Sequence, residues 1–310
     1  MSGVVMVVAP VFGTVALGFG ATRAGLFTRE TGVGLTRFMY HLAIPALLFR
    51  SVASAVLPAT VPWAFLAAFY VPAFLVFGLA THAAERARSW QRREAGIAGM
   101  SACYANIVLL GFPLTQAAFG EAGRLPLFLL MATQSVLLFP LTTYALEIYG
   151  NRRSGDLMFY GRAASRLALN PVIGSLALAL AANLSGIGLP TTLGRLLEPL
   201  SAAGPGCALV ALGINLAHYP LAGGLTDVAL LVVLKNLVCP ALVWGLAHAL
   251  GLDPLWLQVA VLMAAMPAGI NTFIFAGQYD IRAHTVAQTI VISTAVSCLV
   301  ASLLLGWFMP

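Results

Sequence analysis

Polar and apolar residues do not alternate along this chain. Apolar positions gather in blocks close to the roughly 20 residues a helix needs to cross a bilayer core, and charges collect in the short gaps between them. Bounded by charge, Gly and Pro, ten blocks emerge: 4–21, 33–52, 61–82, 95–119, 125–148, 167–186, 195–217, 228–250, 254–279 and 285–308. Each predicts a membrane-spanning α-helix, because in hydrocarbon a helix satisfies its own backbone N–H and C=O groups. The second block carries Arg37 and His41 and the seventh carries Glu198, so these are the least purely apolar. The predicted fold class is an all-α polytopic membrane protein.

Composition supports this reading. The chain has 310 residues, 60% hydrophobic and 8% charged, against roughly 25% charged in a soluble domain. The net charge of +6 would fit a nucleic-acid partner, but the basic residues fall between apolar blocks and form no patch. They have a topological use instead. The connections 1–2, 3–4, 5–6 and 9–10 hold Arg23, Arg29 and Arg37, then Arg86, Arg88, Arg92 and Arg93, then Arg152, Arg153, Arg162 and Arg166, and finally Arg282. The other side has Arg50, Arg124 and Arg195. Twelve against three orients the odd-to-even connections to the cytoplasm and both termini outside. The N-terminus has no basic region before its apolar run, so a retained first helix is expected rather than a cleaved signal. Cys103, Cys207, Cys239 and Cys298 all lie in apolar stretches without a C-x-x-C pair, and read as small buried hydrophobes.

The basic segment 149–166 divides the chain into halves, 1–150 and 151–310, of five blocks each. Five is odd, so the second half enters the membrane inverted. Prolines match between the halves: Pro45 in block 2 with Pro205 in block 7, and Pro113 in block 4 with Pro267 in block 9. Inverted repeats with interrupted helices in corresponding places are the pattern of a secondary transporter whose site lies at their crossing.

The interruptions are "YANIVLLGFPLTQAAFG" and "AAMPAGINTFIFAGQYD". Pro113 has no N–H and disturbs the preceding turn, and Gly111 allows an unusual backbone path. The first is read as a half-helix ending near 110 and a second opening at Pro113; the other breaks near 267–271. Counting about 1.5 Å per residue from each helix entry puts both breaks near the middle of a ~30 Å core. Crossing there, two half-helix N-termini would favour an anion. Asn106 and Asn271 would cap freed backbone groups or hold a carboxylate. The competing reading is a pair of ordinary proline kinks with the asparagines as interhelix glue.

At these residues the sequence resembles the auxin efflux carrier family, which holds plant PIN auxin carriers and bacterial malate-type permeases. "YANIVLLGFPLTQAAFG" is similar to its fourth-helix motif A/G-N-x-x-x-x-G-x-P-L, and "MPAGINTFIFAGQYDIRAHTVAQTIVISTAVS" to its ninth and tenth helices. "LTRFMYHLAIPALLFRSV" is like the second and "LKNLVCPAL" like the eighth. The resemblance implies ten helices in inverted five-plus-five repeats (an NhaA-like architecture). It also implies a scaffold of spans 1, 2, 6 and 7, a transport unit of spans 3–5 and 8–10, and small organic anions as substrates. Carried over, the substrate-site positions are Asn106, Gly111, Pro113, Pro267 and Asn271. Departures are Ala105 where the motif has Gly, a short central loop, and a third span without the Asp–Lys pair of some relatives.

Lys235 lies inside block 8, about 12 Å deep at ~1.5 Å per residue. It either snorkels to the interface or serves function, in which case it would neutralise two half-helix C-termini where other carriers place Na⁺. No carboxylate lies at comparable depth, which leans toward uniport or weakly coupled movement. The histidines, His41 among them, are read as mainly interfacial, and Gln116, Gln134, Asn170, Asn215, Asn236 and Gln288 as packing groups. Trp63, Trp244, Trp256 and Trp307 sit near block ends, as an aromatic belt would.

No paired catalytic groups appear at depth, so an enzyme is not expected. The expected partners are a small organic anion and the lipid bilayer, with a homodimer left open and no nucleic acid, cofactor or metal. The alternatives are a Na⁺-coupled carrier of the bile-acid type and a membrane sensor that binds without transport.

Overall fold

The computed structural model describes residues 2–54, 61–88, 90–148, 171–186, 189–219 and 224–308. Among these the protein is helical throughout. The first half runs α1 (Ser2–Arg23), α2 (Arg29–Phe38), α3 (Ile44–Ala53), α4 (Trp63–Ala87), α5 (Arg92–Cys103), α6 (Phe112–Phe119) and α7 (Arg124–Ile148). The second runs α8 (Pro171–Leu184), α9 (Thr191–His218), α10 (Leu225–Val233), α11 (Cys239–Ala249), α12 (Pro254–Ala264), α13 (Ile270–Tyr279) and α14 (Ala283–Phe308). Seven helices are long and apolar enough to cross a membrane: Val4–Arg23, Arg29–Ala53, Trp63–Arg86, Arg124–Leu146, Thr191–His218, Leu225–Ala249 and Ala283–Phe308. They answer blocks 1, 2, 3, 5, 7, 8 and 10. Blocks 4 and 9 are each split into two short helices. Block 6 appears as the shorter apolar helix Gly174–Leu184; its start at 167–170, with Asn170 and the arginines of 149–166, lies outside the described residues.

Three helices contain a wide, π-helical turn, and each turn sits just before a proline. Met39–Ala43 precedes Pro45, Ile107–Gly111 precedes Pro113, and Leu234–Val238 precedes Pro240. In each, the first residue after the turn donates to the carbonyl five residues back: Ile44 to Met39, Phe112 to Ile107 and Cys239 to Leu234. A proline ring meets the carbonyl four residues behind it in a regular helix. The extra residue in the turn shifts that carbonyl aside, so the helix continues through the proline.

Packing follows what hydrocarbon demands. α1 runs along α9, and α3 packs on α8 and α9. The α1–α9 approach needs small residues, since a Cβ on Gly213 would drive into the Val15 carbonyl. Large apolar side chains such as Met6, Leu17, Leu178, Leu299 and Leu303 point outward, where a soluble protein would expose polar ones. Hydroxyls inside the helices bond carbonyls four residues back, as Thr22 to Gly18, Ser101 to Ile97 and Thr142 to Leu138, and so need no water. All four cysteines are free; Cys103 and Cys239 are buried and Cys207 and Cys298 partly so.

At the basic end, Arg282 ties three connections together. Its guanidinium bonds Glu94 at 2.9 Å, approaches Asp227 at 3.9 Å and lies 4.6 Å over the Trp90 ring. Asp227 also accepts from Trp90 Nε1 at 2.9 Å and pairs with Arg88 at 3.4 Å.

Candidate functional site at the helix crossing

The two broken helices cross backbone to backbone. Ala105 and Ala268 pair in a short antiparallel bridge. Asn106 N–H donates to the Pro267 carbonyl at 2.8 Å, and Gly269 N–H donates to the Tyr104 carbonyl at 2.9 Å. Each break thus supplies the partners that the other lost by leaving its helix.

Side chains from neighbouring helices satisfy the remaining backbone groups. Gln134 of α7 clamps Ala105, its Nε2 donating to the carbonyl at 2.9 Å and its Oε1 accepting from the N–H at 3.1 Å. Ser293 of α14 accepts from Ala268 N–H at 3.1 Å. The C-terminus of α12 is capped from two sides. Lys235 Nζ donates to the Ala264 carbonyl at 2.5 Å, while Asn236 Nδ2 and Ser297 Oγ donate to the Ala265 carbonyl at 3.1 and 2.8 Å. The π turn that carries Lys235 also packs against α5. Lys235 is fully buried, and among the described residues no carboxylate pairs with it.

The sequence placed the fourth break too late. The first half-helix ends at Cys103, not near 110, and the second opens at Ile107 rather than Pro113. Asn106 is its N-cap, with Oδ1 accepting from Leu109 N–H at 3.3 Å and Nδ2 left without a partner. Pro113 sits in the second turn of that half-helix, where the wide turn before it absorbs the missing N–H. Gly111 is buried against α12, where a Cβ would come within 2.7 Å of Met263 Sδ. Both lie beside the crossing, and neither lines the cavity that opens there. The ninth break, Ala265–Gly269, falls close to the expected 267–271 and contains Pro267. Asn271 lies in the first turn of α13, with Nδ2 donating to the Tyr104 hydroxyl at 2.8 Å.

A cavity of about 270 Å³ opens beside the crossing. Ile107 and Ile270, the first residues of the two second half-helices, line it together with Asn271 and Tyr104. Both second half-helices therefore begin at the same space, and a helix N-terminus carries partial positive charge. Tyr104 is held by Ser135 Oγ at 2.9 Å and stacks on Phe139, its ring centroid 5.4 Å away. The Tyr104 ring passes so close to Gly269 that a Cβ there would come within 2.6 Å of it. From α2 and the turn after it, Arg37, Tyr40 and His41 complete the wall.

Asn271 is thus the sequence-predicted residue that lines the cavity, while Asn106 and Pro267 build the crossing behind it. Gln134, read as a packing group, does more: it holds Ala105 and reaches the cavity wall. Tyr104 carried no signal beyond its place at the break, and Ser135, in block 5, carried none. Arg37 and His41 were visible, but were explained as a topological charge and an interfacial ring.

A family model described as membrane transport protein matches residues 3–305. A Rhizobium meliloti protein named "Putative malonate transporter" is 29% identical over 299 residues, covering 96% of this chain and 93% of its own length. "Auxin efflux carrier component 8" of Arabidopsis thaliana is 24% identical over 345 aligned positions, 93% of this chain and 92% of that one. The "Lysosomal cholesterol signaling protein" of Mus musculus is 25% identical over 306 positions, which take in 92% of this chain but 35% of the mouse protein. With the match running nearly end to end over crossed, broken helices, the chain belongs to the membrane transport protein family of the auxin efflux carriers, and is a transporter rather than an enzyme.

Proposed function

We propose that the chain is a secondary carrier of small organic anions, with elevator-like alternating access around the crossing. The observation that carries this reading is the shared cavity at the N-terminal ends of both second half-helices, beside Asn271 and Tyr104. That arrangement offers amide N–H groups, a hydroxyl and a side-chain amide to a carboxylate. The cavity, at about 270 Å³, is just below the roughly 300–1,000 Å³ typical of ligand sites. A substrate of a few carbons fits better than a steroid-sized one, which favours this reading over a bile-acid type carrier. The name of the Rhizobium meliloti relative, a malonate transporter, agrees in substrate size.

The wider architecture in this proposal has ten spans in two inverted halves, 1–150 and 151–310. Spans 1, 2, 6 and 7 are the scaffold; spans 3–5 and 8–10 are the moving unit. The packing of α1 on α9 and of α3 on α8 and α9 supports the first group. The Arg282–Asp227–Glu94 cluster, which joins the starts of spans 4 and 8 to the 9–10 connection, supports the second. The arginine distribution supports cytoplasmic odd-to-even connections and external termini. Lys235, at the end of α12 and against α5, takes the place of a bound cation, so transport proceeds without sodium. A homodimer through the scaffold fits this reading equally.

The test is uptake of labelled malonate into proteoliposomes. Uptake that persists when sodium is replaced by choline and falls with Asn271→Ala is the expected result. Binding without flux would instead support a sensor, and sodium-dependent uptake a coupled symporter.

A further inference from the structure

The cavity has a second polar end, and the crossing does not supply it. Arg37 and His41 lie one helical turn apart on the segment that runs from α2 into the first wide turn, and both line the cavity opposite the broken helices' own segments. Arg37 is eight residues beyond the start of α2 at Arg29, about 12 Å along the axis at ~1.5 Å per residue.

Among the described residues no carboxylate pairs with Arg37. Glu30 lies on the same helix and lines an adjoining groove with Arg29 and Arg37, but makes no ion pair with it. His41 is fixed relative to Arg37: its Nδ1 is 3.0 Å from the Arg37 carbonyl oxygen. A carbonyl only accepts, so Nδ1 carries a proton there, and Nε2 donates to a carboxylate only when the ring is the imidazolium. Arg37 and His41 are both exposed, so the guanidinium at the cavity wall is open to an incoming anion. Its planar fork matches the two oxygens of a carboxylate.

Resting on the organic-anion reading above, we propose that Arg37 and His41 form a second carboxylate-binding pole and make the carrier select short dicarboxylates over monocarboxylates. One carboxylate of the substrate meets Asn271, Tyr104 and the half-helix N-termini; the other meets the Arg37 guanidinium and, in its imidazolium form, the His41 ring. Both poles line one cavity of about 270 Å³, which suits a short chain between the two carboxylates. The two poles sit on separate helical segments, so each is removable by mutation without touching the other.

Binding of malonate and succinate is compared with that of acetate and butyrate by calorimetry on the purified full-length protein. The variants are Arg37→Gln, Arg37→Lys, His41→Gln and Asn271→Ala. Wild-type protein should prefer the dicarboxylates. Arg37→Gln should weaken succinate binding by about tenfold or more, a loss of about 1.4 kcal/mol, and leave butyrate within about twofold. Arg37→Lys should recover part of the loss, because it restores charge without the fork. Asn271→Ala should weaken both classes. If Arg37→Gln weakens both classes equally, or neither, while its thermal unfolding matches wild type, the second pole is wrong. Wild-type protein that binds no carboxylate overturns the transport reading and the pole with it. If Arg37→Gln does not fold, loss of succinate preference in His41→Gln supports the pole, and an unchanged preference there overturns it.

Discussion

Lys235 Nζ and the Ala264 carbonyl oxygen are 2.5 Å apart in a site closed to solvent. The last turn of α12 thus ends on an amine donor supplied by the chain itself. A helix C-terminus carries partial negative charge, and in hydrocarbon no water is present to answer it.

Lys235→Met keeps the length of the side chain and removes the charge. It should lower the unfolding temperature in detergent, since a buried carbonyl left without a donor costs about 1–3 kcal/mol. Uptake in proteoliposomes should fall with it. A correctly folded Lys235→Met protein with wild-type uptake would falsify a role for Lys235 in transport.

Gln134→Leu removes both partners of the Ala105 backbone at once. Each orphaned group should cost about 1–3 kcal/mol, so this variant should be among the least stable single changes near the crossing. Thermal melts read this directly. A melt within a degree of wild type would mean that the clamp is replaceable by a rearranged backbone.

Gly269 and Gly111 make a contrasting pair. A methyl group on Gly269 meets the rigid Tyr104 ring at 2.6 Å, whereas one on Gly111 meets the flexible end of Met263 at 2.7 Å. Gly269→Ala should displace Tyr104, break its bond from Asn271 and weaken anion binding about tenfold. Gly111→Ala should cost about 1–3 kcal/mol of stability at most and leave binding intact. Equal binding losses in the two would contradict the assignment of Gly111 to packing.

Asp227 accepts from Trp90 and forms ion pairs with Arg88 and Arg282 at the basic end. Partly exposed ion pairs contribute about 0–1 kcal/mol each, so Asp227→Ala should lower the melting temperature modestly. The difference from wild type should shrink at about 1 M salt, where screening acts over roughly 3 Å. A difference unchanged by salt would assign the effect to the Trp90 hydrogen bond alone.

Much of this was legible in the residues. Block lengths fix which segments are long and apolar, and Asn106, Pro267 and Asn271 all lie at or beside the crossing. The error over Pro113 has a physical source. A proline reads as a break because its ring clashes in a regular helix, but the wide turn Ile107–Gly111 removes that clash. The chain leaves its helix at Tyr104 because its backbone finds partners on Pro267 and Gly269, a pairing that local pattern does not encode. Arg37 and His41 show the opposite limit. Their charge was plain, but a basic residue near a span end has a sufficient topological explanation, and only the fold reveals the cavity beside them.

The bridge between Ala105 and Ala268 also sets an order of events during synthesis. Span 4 is made long before span 9, so Asn106 N–H and the Tyr104 carbonyl must wait inside the membrane for the second half of the chain. Gln134, on the very next span, arrives early enough to hold Ala105 in the meantime. A ribosome stalled between the halves should therefore leave a membrane-inserted but unlatched chain. The latch closes only when Pro267 and Gly269 emerge.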